Sequence, residues 1–169
     1  DANKQLPLSY HDLTEPVVVN KKLLPGNQNF KSMIMSPLPP YESSDTWLVR
    51  LSGRYRTSGS NLPPAVEMFC KSNDKGIQYQ YNAPWAPRNL KTSPEWSGFD
   101  VAMPLKPSAF PGQMNSIELR MHAISPLLND LTFPLDQGRV NNANCEFKNV
   151  RIEIKRLETP LIEQTHAVY

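Results

Sequence analysis

The chain has 169 residues, of which 39% are hydrophobic, and this suffices for one compact domain with a single core. Its 18 basic and 16 acidic residues give a formal net charge of +2, smaller than the basic excess of a dedicated nucleic-acid-binding protein. We therefore expect no nucleic-acid partner. No run of about 18 apolar residues is present, so we also expect no direct insertion into a membrane.

Prolines divide the chain into short segments in which apolar and polar residues alternate. Most of the 17 prolines cluster between these segments, and proline disfavours both helix and the interior of a sheet. The alternation predicts eight strands, in chain order at residues 15–23, 29–35, 45–57, 65–72, 76–82, 98–105, 116–124 and 144–157. A short helical turn is predicted only near "ISPLLNDL".

This pattern predicts an all-β fold, an antiparallel two-sheet β-sandwich of the jelly-roll type. We expect a single domain over residues 1–169, with its core at about residues 17–157 and the two ends peripheral.

The stretch "DTWLVRLSGRYRT" shows how the alternation assigns side chains to faces. The odd-numbered residues from 47 to 55 are expected to face the core: Trp47, Val49, Leu51, Gly53 and Tyr55. The same rule places further residues in the core, namely Val66, Met68, Cys70, Ile117, Leu119, Met121, Ala123, Val150, Ile152 and Ile154. The outward positions of these strands are mostly charged.

The outward charges predict a polar, arginine-rich platform if the strands that carry them are neighbours. Its expected members are Arg50, Arg54, Glu67, Glu118, Arg120 and His122. An ordinary solvated sheet face with cross-strand ion pairs is the alternative. Because the arginine fork pairs well with carboxylates and vicinal oxygens, we interpret the platform as a shallow groove for a polyhydroxylated ligand, with anionic ones favoured.

Two segments, "WLVRLSGRYRT" and "GRVNNANCEFKNVRIEIKRL", resemble those of bacterial carbohydrate-binding-module-like jelly rolls, whose last strand closes the sheet beside the first strands. The resemblance implies a non-catalytic domain that accompanies carbohydrate-active, polysaccharide-exporting or envelope proteins. It also implies an extracytoplasmic location and other domains of the same polypeptide as partners. The 7 glycines depart from the glycine-rich turns of such domains.

Loop aromatics supply a second argument for sugar binding, since the C–H faces of sugars stack on flat rings. Trp85, between two prolines, is the best stacking candidate and has Arg88 nearby, while Trp96 adds a further ring. Tyr79 and Tyr81 share a side with Ile77 and are expected to face the core.

The cysteines and the carboxylates decide what the sequence predicts about disulfides and metal ions. Cys70 and Cys145 are expected to be buried thiols, with one disulfide as the alternative. We expect no cofactor; a structural calcium at "NNANCEF" with Asp136 is the alternative.

Catalysis is not expected, because no nucleophile, metal-ligand or phosphate-binding motif is present. Glu67 and Glu118 are the only carboxylate pair that could serve a hydrolase or lyase. The sequence therefore predicts a non-catalytic, polysaccharide-binding domain. The alternative is a structural or assembly domain of an envelope or coat protein, with Leu48 and Phe69 exposed among the charges.

Overall fold

A computed structural model describes residues 8–13, 15–20, 30–81, 87–129 and 142–157. The strands of this part of the chain are β1 (Leu8–Leu13), β2 (Val17–Asn20), β3 (Phe30–Met35), β4 (Trp47–Ser58), β5 (Ala65–Asp74), β6 (Ile77–Tyr81), β7 (Arg88–Asn89), β8 (Ser97–Leu105), β9 (Gln113–His122) and β10 (Asn144–Arg156). The helical residues form a 3-10 turn, Pro107–Ala109, and one helical turn, α1 (Pro126–Asn129).

The strands form two antiparallel sheets. Sheet A has the order β1-β10-β4-β8, and β2 pairs with β10 beside β1. Sheet B has the order β3-β9-β5-β6, and β7 pairs with β5. The chain passes from sheet A to sheet B between β4 and β5 and again between β8 and β9, as in a sandwich with long connections. The predicted all-β sandwich is confirmed.

One large hydrophobic cluster of the described residues fills the space between the sheets, and a small second cluster contains Ile124 and Ala143. The predicted core residues on β4, β5, β9 and β10 are buried except Gly53, which has no side chain, and Trp47, Val49, Ile117 and Ile154 are fully covered. Sheet A contributes Phe147 and Val150, and sheet B contributes Met33 and Met68. The period of two in the sequence therefore identifies the core face of each long strand correctly.

A bulge in β10 keeps both halves of this long strand in phase with the core. The pairing with β4 shifts between Lys148 and Arg151, and Asn149 adopts a φ of 54°. Phe147 and Val150, three residues apart, both point inward as a result. Strict alternation through the whole strand would have placed one of its halves on the solvent face.

Several expectations need correction. β1 and β7 are absent from the predicted strands, because each is short or follows a polar sequence. Ile77 is 57% exposed at the end of the β5–β6 hairpin, so it does not belong to the core. Tyr79 and Tyr81 are half-buried at the edge of sheet B, where their rings stack with centroids 6.2 Å apart.

The two cysteines are buried and free, so the thiol interpretation holds over the disulfide alternative. Burial raises the pKa of Cys70 to about 12. Burial, together with the charge of Glu146, also raises the pKa of Cys145. Both thiols therefore stay protonated at neutral pH.

Candidate functional site

The single arginine-rich platform is wrong, because its members lie on two sheets. Arg50 and Arg54 lie on β4 in sheet A, whereas Glu118, Arg120 and His122 lie on β9 in sheet B. Glu67 joins the second group from β5. Alternation assigns a side chain to the inner or outer face of its own strand but does not say which sheet contains that strand. The outer faces of the two layers point in opposite directions, so no groove contains both groups.

On the outer face of sheet B, Glu118 is surrounded by three donors. Ser32 Oγ and Arg120 Nε donate to Glu118 Oε2 at 2.6 and 2.7 Å, and Lys71 Nζ lies 2.7 Å from Oε1. The Glu118 side chain is only 5% exposed. Burial opposes its ionisation, yet the hydrogen bonds from Arg120, Lys71 and Ser32 outweigh burial and lower the pKa of Glu118 to about 2.

Neighbouring groups on sheet B are equally engaged. The Arg120 guanidinium carbon lies 4.5 Å from the ring centroid of Phe30 and 4.1 Å from that of Phe69. His122 Nε2 lies 2.7 Å from Glu67 Oε1, and both side chains are buried. These polar groups partner one another, so this face offers a ligand few unused donors.

The outer face of sheet A is different and is called the basic face below. Its charged members on β4, β8 and β10 are six cations, Arg50, Arg54, Arg56, Lys148, Arg151 and Lys155, and three acids, Asp100, Glu146 and Glu153. The face thus carries three more cations than acids, while the whole chain has a formal net charge of only +2. The positive charge is concentrated on one sheet surface.

The acids of the basic face are all paired with arginines. Arg50 Nε donates to Asp100 Oδ1 at 2.8 Å, and a second bond joins the Arg50 guanidinium to Asp100 Oδ2. This bidentate hydrogen bonding lowers the pKa of Asp100. Arg56 contacts Glu146 Oε2 through Nε at 3.1 Å, and Arg151 contacts Glu153 Oε1 at 3.1 Å.

Three cations of the basic face have no acidic partner among the described residues: Arg54, Lys148 and Lys155. Arg54 and Lys148 are directly opposite one another on β4 and β10, and neither has an ion pair. Lys148 Nζ instead lies 4.0 Å from the ring centroid of Trp96, and the Arg56 guanidinium carbon lies 4.7 Å from the same ring. Trp96 therefore fixes two cations beside Arg54 through cation–π contacts.

A concavity lies at the other end of the basic face. It has a volume of about 450 Å³ and is lined by Ser9, Leu48, Arg50, Arg151, Glu153, Ile154 and Lys155. Leu48 is half-buried here, so the surface combines a small apolar floor with charged walls. Such a mixture suits a ligand with both C–H and polar groups.

Of the remaining predicted site residues, Arg88 joins neither surface. Arg88 is exposed on β7, where its guanidinium lies 3.5 Å from Met103 Sδ, at the open side of the sandwich. Trp85 lies outside the described residues. Lys148 was not predicted as a site residue because its importance depends on the register that places it opposite Arg54. The run of outward basic residues in β10 was the available signal.

No group of three or more His, Cys, Asp or Glu side chains that could hold a metal ion occurs among the described residues. Asp136 lies outside them. None of the helices in the described part of the chain has the length and hydropathy that a membrane span requires.

Comparison with known proteins identifies the fold. No protein-family model and no curated protein matches the sequence. A structure of infectious bursal disease virus, Gt strain, superimposes with a TM-score of 0.52 at 10% identity, covering 88% of this chain and 32% of the viral chain. The chain adopts a jelly-roll fold. At this identity the likeness extends to the fold alone, and the chain spans about a third of the viral protein it matches.

A carbohydrate-binding domain has a lower structural similarity. The CBM22-1 xylan-binding domain of Paenibacillus barcinonensis Xyn10C matches with a TM-score of 0.38 at 10% identity, covering 90% of this chain and 95% of that domain.

Proposed function

We propose that the chain is a non-catalytic carbohydrate-binding domain that contacts an anionic polysaccharide through the basic face of sheet A. The excess of three cations on this face is the observation that carries the proposal. The face extends from Leu48 to Arg56, about 25 Å along β4, which is long enough to contact several sugar units. A polysaccharide partner also favours an extracytoplasmic location.

The chemistry of the basic face supports a saccharide over a nucleic acid. Asp100, Glu146 and Glu153 interrupt the cations, and a nucleic-acid site usually has a continuous basic stripe. Guanidinium groups beside a tryptophan and a concavity with an apolar floor can bind carboxylates or sulfates as well as sugar hydroxyls.

The carboxylates of sheet B support a non-catalytic role. A glycosidase requires a general acid that is protonated near neutral pH. The pKa of Glu118, lowered to about 2 beneath Arg120, Lys71 and Ser32, keeps this group ionised. Glu67 is buried against His122 and has no open approach for a substrate.

The assembly alternative predicts an apolar rim among the charges. Leu48 and Phe69 are only half-buried, and the Arg120 guanidinium covers the Phe69 ring. Ile34 is 46% exposed on sheet B and Val18 is 43% exposed on sheet A, so the exposed apolar side chains are divided between the two sheets. This apolar surface is small compared with that of a stable protein interface, so we favour the carbohydrate proposal.

A glycan array at low and moderate salt tests the proposal. The double variant Arg50→Gln, Arg54→Gln removes two charges from the basic face, and Lys75→Gln, Lys106→Gln removes two exposed charges elsewhere. We expect the wild type and the control to bind acidic polysaccharides, with binding that weakens as salt rises, and the basic-face variant to bind at least tenfold more weakly.

The assay has a clear negative outcome. If the folded wild-type domain binds no glycan at low salt, the carbohydrate proposal is wrong, and the assembly alternative takes its place. Equal binding by the two double variants would show that the basic face is not the binding surface.

A further inference from the structure

We propose that Arg54 and Lys148 form a binding site for a tetrahedral oxyanion, and that its natural occupant is a sulfate group on the saccharide. The identity of the occupant rests on the proposed function, but the anion site itself does not. The site lies at the Trp96 end of the basic face, away from the concavity lined by Arg50 and Lys155.

The first observation is an unneutralised like-charge pair. Arg54 and Lys148 are Cα partners on adjacent strands, where directly opposed side chains lie about 5 Å apart at Cβ. Like charges in this position repel and destabilise a sheet. A bound anion between the two side chains would offset this repulsion.

The acids that flank the pair do not neutralise it. Glu146, two residues before Lys148 on the same face, is held by Arg56 at 3.0 and 3.1 Å. Asp100 of β8, which is opposite Ser52 of β4, accepts two hydrogen bonds from the Arg50 guanidinium. Both of these carboxylates are therefore committed to other arginines, and neither neutralises the charge of Arg54 and Lys148.

The second observation is open space beside the pair. Gly98 is the β8 partner of Arg54, and a Cβ at Gly98 would meet nothing nearer than the Gly53 carbonyl oxygen at 3.9 Å. The strand next to Arg54 thus carries no side chain that would fill the approach. Trp96 borders this space and holds the Lys148 ammonium 4.0 Å from its ring centroid. One of the two cations is therefore positioned before a ligand arrives.

The donors fit an acceptor with oxygens in several directions. The planar fork of Arg54 can donate two parallel hydrogen bonds, and Lys148 adds a compact point charge from the neighbouring strand. A sulfate ester has three free oxygens arranged around sulfur, so two can face the fork and one the ammonium. A carboxylate has only two oxygens in one plane and cannot satisfy both donors as well.

Inorganic sulfate is the probe for the site, followed by NMR titration and by thermal unfolding of the full chain. We expect sulfate to shift the backbone amide signals of Gly98 and Lys148, and Arg54→Gln or Lys148→Gln to raise its dissociation constant at least tenfold. At a sulfate concentration about ten times the dissociation constant, the unfolding midpoint of the wild type should rise by about 3 to 6 °C. Lys75→Gln, which removes a charge at the β5–β6 turn, serves as the matched control.

The like-charge pair also predicts that sulfate changes the sign of the stability difference between the wild type and Arg54→Gln. Without sulfate and at low ionic strength, Arg54→Gln should unfold at the same temperature as the wild type or a higher one, because repulsion has been removed. With sulfate, the wild type should become the more stable protein. Sulfate stabilises folded proteins generally by exclusion from their surfaces, so the difference between the wild type and the variant is the informative quantity.

The outcomes separate the two proposals. Identical sulfate responses in the wild type and both variants would overturn the oxyanion site, whatever the domain binds on the glycan array. Sulfate binding that depends on Arg54, without binding to any glycan on the array, would support the site and reject the carbohydrate function, whereas binding of carboxylated glycans alone would reject sulfate as the natural occupant. Inorganic phosphate and acetate test the chemistry: phosphate should compete with sulfate, and competition by acetate with equal strength would contradict the preference for a tetrahedral anion.

Discussion

Glu118 shows how a single residue can sit on the outer face of a strand and still behave as a core group. Its three donors keep it ionised although its side chain is 5% exposed, and its partners Arg120 and Lys71 are themselves partly covered. Sheet B is thus stabilised on its outer side by a buried charge network. Alternation alone would have assigned this residue to solvent.

The lowered pKa of Glu118 predicts acid sensitivity. Its pKa is about 2 in the folded state and 4.5 ordinarily, so the unfolded state binds more protons between these values, and stability falls as pH drops from about 4.5 to 2. The shift corresponds to about 3 kcal/mol of unfolding free energy, present above this window. Urea unfolding at a series of pH values should show this loss in the wild type and a smaller one in Glu118→Gln. Equal slopes in both proteins would contradict it.

Arg120 should not be replaceable by lysine. Its planar group stacks between Phe30 and Phe69 while Nε donates to Glu118, and an ammonium cannot do both. We expect Arg120→Lys to lower the free energy of unfolding by about 1 to 3 kcal/mol at neutral pH despite the retained charge. The control is Lys71→Arg, the reverse exchange at the other cation that contacts Glu118, and it should lower the free energy of unfolding less. An unaltered denaturation midpoint for Arg120→Lys would show that the stack contributes nothing.

At the scale of the element, close packing makes β4 intolerant of a methyl group at its centre. A Cβ at Gly53 would lie 2.8 Å from Phe99 Cε1 and 3.1 Å from Val150 Cγ2, whereas Gly98 has open space. Gly53→Ala should therefore cost about 1 to 3 kcal/mol of unfolding free energy from overpacking, and Gly98→Ala should not. Chemical denaturation of this matched pair measures the difference. Equal stabilities would mean that Phe99 moves aside without cost.

The bulge in β10 marks the limit of what alternation predicts within an element. The sequence "CEFKNVRIEI" contains two alternating halves that are out of phase, and Asn149 joins them with φ at 54°. Each half has its own apolar inward set, Cys145 with Phe147 and Val150 with Ile152. The bulge keeps both sets on the core face. Asn tolerates the left-handed region, so the residue type agrees with its conformation.

At the scale of the whole molecule, strand order is the property that the sequence did not reveal. Local patterns predicted eight strands and the core faces of β4, β5, β9 and β10, but pairing between β4 and β10 joins residues about 100 positions apart. Arg50 and Arg120 looked equivalent because each is an outward arginine in a long strand. Only the partition of strands between sheets separates the basic face, which contains Arg50, from the buried network around Arg120.

The two thiols report on the integrity of the whole sandwich. Cys70 lies on β5 of sheet B and Cys145 on β10 of sheet A, and both are at most 1% exposed within the shared core cluster. Alkylation requires the thiolate, and burial raises the pKa of Cys70 to about 12, so the native protein should react very slowly at pH 8. Because the two residues lie on opposite layers of one core, both should become reactive in the same cooperative transition. Iodoacetamide labelling followed by mass spectrometry across a urea series should give equal midpoints for the two residues. Both midpoints should coincide with the midpoint of the change in tryptophan fluorescence. Labelling of Cys145 at lower urea than Cys70 would mean that sheet A opens before sheet B, and the single cooperative core would have to be replaced by two units.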